Sequence, residues 1–140
     1  MRYFENLERW TPYALGVLRI VTGLIYIEHG TQKLFGFPPP TGPMPPAFSL
    51  FWIAGVLEMV GGFLILIGLF TRPVAFLLAG EMAVAYWMVH APRNLFPAVN
   101  GGDAAILYCF IFLFLVFAGP GVLSVDGAQR ERSRSWLPGR

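Results

Sequence analysis

Long apolar runs alternate with short polar, glycine-rich or proline-rich clusters along this chain. The four runs extend from about residue 12 to 36, 46 to 70, 72 to 90 and 103 to 119. They are too long for strands and show no period of two, so a strand interpretation fails. Three of them approach or exceed the roughly 20 residues that cross the hydrocarbon core of a bilayer, and the fourth is nearer the short limit. The pattern predicts an all-α integral membrane protein, a bundle of four transmembrane helices.

Turn and cap residues separate the runs. Thr11 followed by Pro12 is typical of a helix start, and Thr71-Arg72-Pro73 repeats that signal before the third run. Gly119-Pro120-Gly121 stops the fourth run. Between the first two runs, residues 37–46 include six prolines, which excludes a helix or a central strand there. We interpret this loop as a stiff connector in preference to a hinge or lid.

The composition agrees with a chain that is largely covered by lipid. Of its 140 residues, 56% are hydrophobic and only 13% are charged, against about 25% charged in a typical soluble domain. The lone Cys109 excludes an intramolecular disulfide and a four-cysteine metal site. The formal net charge is +2 and no basic stripe occurs, so we expect no nucleic-acid partner. These features indicate one membrane domain over residues 1–125 and a polar, arginine-rich tail over residues 126–140.

Four crossings would place both termini on one side of the membrane, and basic residues are shared unequally between the two sides. Lys33 and Arg93 fall on the side opposite the termini. The side of the termini carries Arg2, Arg9, Arg72, Arg130, Arg132, Arg134 and Arg140. The positive-inside rule therefore predicts cytoplasmic termini. We expect the tail to be loosely ordered at the cytoplasmic surface, where it would meet anionic lipid.

Ionisable side chains inside the apolar runs are the strongest candidates for function, because charge at membrane depth is costly. Successive helical residues turn by about 100°, which gathers five polar residues of the first helix on one stripe. The stripe consists of Arg19, Thr22, Tyr26, His29 and Lys33. Gly16, Gly23 and Gly30 recur beside it and favour a close approach by a neighbouring helix. The stripe should face the bundle interior, either as a binding site or as an ion-pair network that only fixes helix packing.

Two carboxyl groups fall near the predicted midplane, Glu58 on the second helix and Glu81 on the third. We predict that Arg19 pairs with one or both of them, because pairing neutralises charge that would otherwise be costly in the membrane. A carboxyl group left without a partner could carry protons.

Toward the external side, His90 either contributes to a site or only closes its helix, and Asp103 is most simply a helix cap. The two histidines differ in estimated depth and no Glu-x-x-His pair is present, so we expect no metal site. Tyr26, Tyr86 and Trp87 could line a flat pocket, although packing is the simpler interpretation. No phosphate loop, nucleophile elbow or dinucleotide fingerprint occurs. The sequence therefore assigns no catalytic residue, and the candidate binding residues are Arg19, Tyr26, His29, Lys33, Glu58, Glu81 and His90.

Several short motifs together resemble the DoxX family. They are Leu18-Arg19, Gly23-Leu24-Ile25 and His29 to Gly36 in the first helix, Glu58-Met59-Val60-Gly61-Gly62 and Gly68 to Arg72 in the second, and Asn100 to Tyr108 with Gly119 to Asp126 in the fourth. The resemblance covers nearly the whole chain, with Asp103 where many relatives carry Glu. It implies a small multi-pass protein of the bacterial inner membrane with four helices. The family takes its name from a subunit associated with thiosulfate oxidation coupled to quinone.

Two hypotheses for the function follow. The first is a membrane subunit of a redox-linked complex that binds a quinone, or a similar lipid-soluble carrier, between its helices. The second is a non-enzymatic membrane scaffold, assembly factor or small-molecule carrier whose intramembrane charges are structural. In either case we expect the bilayer and a protein partner or a second copy of the chain as partners.

Overall fold

The computed structural model describes residues 6–135, and these form helices joined by turns, with no strand among them. After a short 3-10 turn at Glu8–Trp10, the helices are α1 Thr11–Phe35, α2 Leu50–Ile67, α3 Thr71–Ala85, α4 Asp103–Ala118 and α5 Val125–Ser135. Arg2, Arg140 and the end of the predicted tail lie outside the described residues. The all-α prediction is confirmed.

Three helical stretches are long and apolar enough to cross a membrane: Glu8–Phe35, Leu50–Ile67 and Thr71–His90. The fourth predicted crossing, α4, is apolar but shorter. Large apolar side chains project outward from these helices, among them Val17, Phe110 and Phe114. An outward apolar surface of this kind is suited to lipid and not to water.

Helix α2 begins at Leu50 instead of near residue 46 as predicted, because Phe48 has a positive φ of 63°, which lies outside the right-handed helical region. Ser49 adopts an extended conformation, and its hydroxyl accepts a hydrogen bond from the backbone N–H of Trp52 at 3.3 Å. This is the geometry of a helix N-cap. The helix ends at Gly68, whose φ of 68° is tolerated best by glycine.

The third membrane helix changes its winding near its end. After α3, residues Tyr86–His90 form a π-helical turn that closes with a hydrogen bond from the Ala91 N–H to the Tyr86 carbonyl at 2.9 Å. A single helical turn at Pro97–Asn100 follows, and Gly102 precedes α4. Asp103, expected as a cap, is the first residue of α4 and its side chain makes no capping hydrogen bond.

The helices pack as two pairs. Helix α1 packs mainly on α2, and α3 mainly on α4, whereas α2 and α3 contact each other less extensively. The close approach of α1 and α2 depends on glycines: a Cβ at Gly30 would lie 2.5 Å from the Met59 nitrogen, and a Cβ at Gly23 would lie 2.8 Å from the Leu66 nitrogen. Gly23 and Gly30 of the glycine stripe predicted from the sequence therefore do seat a neighbouring helix, whereas Gly16 lies against Val122 in the loop after α4.

The tail forms helix α5 through its described residues, in place of the loosely ordered segment expected. Its first turn is tied to the start of α3, because the Asp126 carboxylate accepts hydrogen bonds from the backbone N–H groups of Phe70 and Thr71, each at 2.9 Å. The Asp126 N–H in turn donates to the Gly68 carbonyl at 3.0 Å. Burial raises the pKa of Asp126, but the hydrogen bonds from Thr71 and Phe70 outweigh it and hold that pKa below its ordinary value.

Candidate functional site

A cavity of about 930 Å³ lies between the two helix pairs and is lined by residues of α1, α2, α3 with its π-helical turn, and α4. Its walls are mainly apolar side chains, including Phe51, Leu57 and Met82. Six of the seven candidate residues from the sequence line it: Tyr26, His29, Lys33, Glu58, Glu81 and His90. The wall residues Ile53 on α2 and Leu77 on α3 are about half exposed, so the cavity opens to the outside between these two helices.

The two carboxyl groups of the cavity lie at the level expected from the sequence. Glu58 is at the middle of α2, and Glu81 is at the middle of the apolar stretch Thr71–His90. If these helices cross a bilayer, both carboxyl groups lie far from either aqueous surface. Their partners therefore decide whether charge can persist there.

Glu58 forms an ion pair with Lys33. The Lys33 Nζ lies 2.5 Å from the Glu58 Oε1. The Glu58 side chain is only 4% exposed, whereas that of Lys33 is 29% exposed. The second oxygen of Glu58, Oε2, is buried and has no hydrogen-bond partner among the described residues. The pair is thus neutral in sum but leaves an acceptor oxygen unsatisfied.

Glu81 has a different environment. Its Oε2 accepts a hydrogen bond from the Tyr26 hydroxyl at 3.1 Å, and its Oε1 is buried without a partner among the described residues. No described cation forms an ion pair with it. Helix α3 therefore presents a carboxyl group whose only direct hydrogen-bonding neighbour in the described part of the chain is a phenol.

Aromatic rings close one wall of the cavity. The fully buried Tyr26 ring contacts Phe112 and Tyr108 edge-on, with centroid distances of 4.8 and 5.1 Å. The His29 ring meets Tyr108 at 5.8 Å and 89°. Edge-to-face packing of this kind is favourable and holds ring orientation. The wall fixes the phenol that contacts Glu81.

His90 lies at the far end of the cavity, within the π-helical turn. Its Nδ1 is 3.1 Å from the Asn100 carbonyl oxygen, and its ring stacks on Tyr86. π-Helical turns recur at functional sites because they reorient side chains. Among the described residues, no group of three His, Cys, Asp or Glu side chains could hold a metal ion.

The pairing predicted for Arg19 is wrong. Arg19 is fully buried, yet it does not line the cavity. Its guanidinium donates five hydrogen bonds to backbone carbonyl groups: those of Pro120, Ile65, Leu66, Val122 and Leu123. Periodicity placed Arg19 correctly on the inner face of α1, but the C-terminal end of α2 and the loop after α4 supply enough acceptors to satisfy it.

The sequence did not lead us to predict two further features, one at each end of α4. Arg72 donates to the Val116 and Phe117 carbonyls at the end of α4, although it was counted only as a surface charge. Tyr108 lines the cavity beside Ala104 and Ala105. The spacing of these α4 residues by four and three positions would have indicated one inward face.

Comparisons with known proteins identify relatives of the chain. The family model described as DoxX matches residues 14–91. An uncharacterized protein of Haemophilus influenzae is 43% identical over 127 residues, covering 87% of this chain and 95% of its own. The inner membrane protein YphA of Escherichia coli is 30% identical over 139 residues, covering 90% and 96%. The uncharacterized membrane protein Rv3486 of Mycobacterium tuberculosis is 30% identical over 149 residues, covering 87% and 85%. No solved structure matches.

Proposed function

Because the chain belongs to the DoxX family of membrane proteins, and because its cavity gathers polar groups between apolar walls, we propose that it binds a lipid-soluble carrier of the quinone class. In this proposal it acts as the membrane subunit of a redox-linked complex. The observation that carries the proposal is the convergence of six separated polar residues on one cavity that opens between α2 and α3.

The cavity has the parts that a quinone headgroup requires. A flat ring needs apolar and aromatic walls, which Leu57, Met82 and Tyr108 supply. Each carbonyl oxygen needs a hydrogen-bond donor. The Lys33 ammonium has three N–H groups and uses one on Glu58, so it can donate to a ligand as well. Tyr108 and His29 also line the cavity, and their rings contact each other.

The opening between α2 and α3 suits an apolar tail. Phe76 and Leu77 border it on α3, and both are more than half exposed. A ligand could therefore keep its tail in lipid while its headgroup occupies the cavity. Electrons would come from a partner protein, which is why we place the chain in a complex instead of assigning it an activity of its own.

We further propose a multi-pass topology in the bacterial inner membrane, with α4 as the fourth crossing and both termini in the cytoplasm. The end of α4 contacts Arg72 at the start of α3, and the start of α4 lies near His90 at the end of the third stretch. Helix α4 therefore runs the length of α3 in the opposite direction. At about 1.5 Å per residue it is short for a full crossing, so we expect the bilayer to thin locally beside it.

A second candidate, a non-enzymatic scaffold, assembly factor or small-molecule carrier, is favoured by the role of the arginines. In the hydrogen bonds described above, Arg19 and Arg72 donate only to backbone carbonyl groups. Buried charge in this chain can thus be structural. The test below separates the two candidates.

The test is to extract the protein in native lipid and measure how much quinone remains bound, by mass spectrometry. We expect near-stoichiometric quinone with the wild type and with Arg93→Met, a change of an exposed loop cation. We expect its loss with Lys33→Met, provided that the circular dichroism spectrum is retained. If the wild type retains no quinone but retains a partner protein, the carrier site is contradicted and the scaffold is supported.

A further inference from the structure

We propose that Glu81 binds a proton within the cavity, so that it is a neutral carboxylic acid at neutral pH while Glu58 stays ionised beside Lys33. As a neutral acid, Glu81 would donate a hydrogen bond and select headgroups that carry an acceptor oxygen. The proton site stands on geometry alone, whereas its role in selecting the headgroup rests on the proposed function.

The first argument is charge balance. Two carboxyl groups and one lysine line the cavity, so full ionisation would leave one negative charge unneutralised. The other titratable groups of the lining are Tyr26 and His29 from α1, His90 from the π-helical turn, and Tyr108 and Cys109 from α4. None of these is a fixed cation at neutral pH. A carboxylate without a counter-charge in an apolar site is costly and takes up a proton instead.

The second argument decides which carboxyl group takes the proton. Glu58 directly contacts the Lys33 ammonium. Glu81 has a neutral hydroxyl as its hydrogen-bond partner. An ammonium stabilises an adjacent carboxylate far more than a phenol does. We therefore place the proton on Glu81, and Lys33 and Glu58 form an ion pair in which each neutralises the other.

The third argument concerns the two oxygens of Glu81. The Tyr26 hydroxyl donates to Oε2, which occupies that oxygen as an acceptor. Oε1 is buried with no partner among the described residues. A proton on Oε1 makes this oxygen a hydroxyl group, which can donate one hydrogen bond to a ligand. A ligand with a carbonyl oxygen satisfies it, whereas a ligand with an ammonium head does not.

The test is infrared spectroscopy of the full chain in lipid nanodiscs, without added ligand. A protonated carboxyl group has a C=O stretching band above the amide I band, and the band moves to lower frequency in D₂O. We expect this band in the wild type at neutral pH and in the double variant Lys33→Met/Glu58→Gln, whose cavity keeps Glu81 but has no lysine to neutralise it. We expect its loss in Glu81→Gln. Glu28→Gln is the control for the exposed carboxyl group of α1, and the band should survive it.

Two further variants keep the test decisive if Glu81→Gln fails to fold. Tyr26→Phe removes the hydrogen bond to Oε2, so the band should shift in frequency without disappearing. Lys33→Met removes the counter-ion of Glu58, so a second carboxyl band should appear. A wild-type spectrum without the band overturns the inference, and so does a band that disappears in the double variant Lys33→Met/Glu58→Gln.

The outcomes separate this inference from the proposed function. A carboxyl band assigned to Glu81 in protein that never retains quinone leaves the proton site standing and contradicts the quinone proposal. Quinone retention without the band contradicts the proton site alone. If both hold, added decylubiquinone should shift the Glu81 band, whereas decane should not.

Discussion

At the scale of single residues, Arg19 shows how a buried charge can be wholly structural. A guanidinium has five N–H donors and no acceptor, and Arg19 places them on five backbone carbonyls from two separate segments. Carbonyl dipoles thus replace the counter-ion that an inward-facing arginine would otherwise need. The contact fastens the end of α2 and the loop after α4 to α1.

We expect Arg19→Lys to destabilise the protein, because an ammonium has three donors and cannot reach both segments. At least two buried carbonyls would lose their donors, which costs on the order of 2–4 kcal/mol. The measurement is thermal unfolding in mild detergent, followed by circular dichroism. Arg93→Lys is the matched control, since Arg93 is exposed. Equal stability of the two variants would contradict the structural role.

The Lys33–Glu58 pair should show coupling in a double-mutant cycle. Lys33→Met and Glu58→Gln each leave a partner unpaired, and we expect each to cost on the order of 1–3 kcal/mol because the site is partly exposed. The double variant leaves no unpaired charge, so it should cost less than the sum of the singles. Additive unfolding free energies in the same detergent would show that the ion pair does not form.

At the scale of secondary structure elements, glycines set the spacing between α1 and α2. Gly30 lies against the backbone of Met59 and Gly55, where no atom can move aside easily. Gly80 on α3 is different, because nothing lies within 4 Å of where its Cβ would be. The two glycines therefore give opposite expectations for the same substitution.

We expect Gly30→Ala to destabilise the protein by about 1–3 kcal/mol, because the added methyl group forces the two helices apart. Gly80→Ala should be neutral or stabilising by up to about 1 kcal/mol, because alanine favours a helix over glycine and meets no neighbour. Chemical unfolding of both variants is the measurement. A Gly30→Ala protein as stable as Gly80→Ala would refute the close packing of α1 on α2.

The contact between α5 and α3 should depend on pH. The folded pKa of Asp126 is lowered from its ordinary value of 3.8. Its contribution to stability is therefore complete above that ordinary value and is lost as the pH falls through the lowered folded pKa. We expect Asp126→Asn to be less stable than the wild type at pH 7 by about 1 kcal/mol, as for loss of a cap, and the difference to shrink in acid. A difference that does not change with pH would argue against this cap.

The elements and the inward faces could be predicted from the sequence, because helical period and membrane length constrain both. The apolar run before Arg72 showed that α2 would be a helix, and the stripe of α1 correctly placed Lys33 and Tyr26 inward. Partners could not be predicted, since periodicity places side chains on faces without saying what faces them. We therefore predicted a carboxylate partner for Arg19, whereas in the structure its partners are backbone carbonyl groups. The start of α2 was also misplaced, because the turn formed by residues 46–49 was assigned to the helix.

At the scale of the whole molecule, two helix pairs enclose a cavity because their mutual contact is limited. Gly61 of α2 receives the Leu78 side chain of α3, and this contact holds the pairs together on one side of the cavity. Beyond it, the pairs diverge around Glu58 and Glu81. The arginine and Asp126 contacts close the opposite end of the bundle from Lys33 and His90.

The proposed topology can be tested with single cysteines in a Cys109→Ala background. Gly42 in the proline-rich loop and Ser133 in α5 are both exposed. We expect a membrane-impermeant maleimide to label Gly42→Cys in cells with a permeabilised outer membrane. Ser133→Cys should be labelled only after the inner membrane is opened, because the proposed topology places the termini in the cytoplasm. Labelling of both positions from outside would mean that α4 does not cross.

The central claim is that the cavity between the helix pairs binds a quinone-class headgroup, and photolabelling with an azidoquinone tests it most directly. The labelled peptides would be mapped by mass spectrometry in the wild type and in two variants. Gly80→Phe fills the cavity from α3, whereas Val60→Phe adds the same ring on an exposed face of α2. We expect label on the cavity-lining residues of α2 and α3 in the wild type and in Val60→Phe, and its loss in Gly80→Phe. Label spread over the outer surface, unchanged by Gly80→Phe, would contradict a carrier site in this cavity.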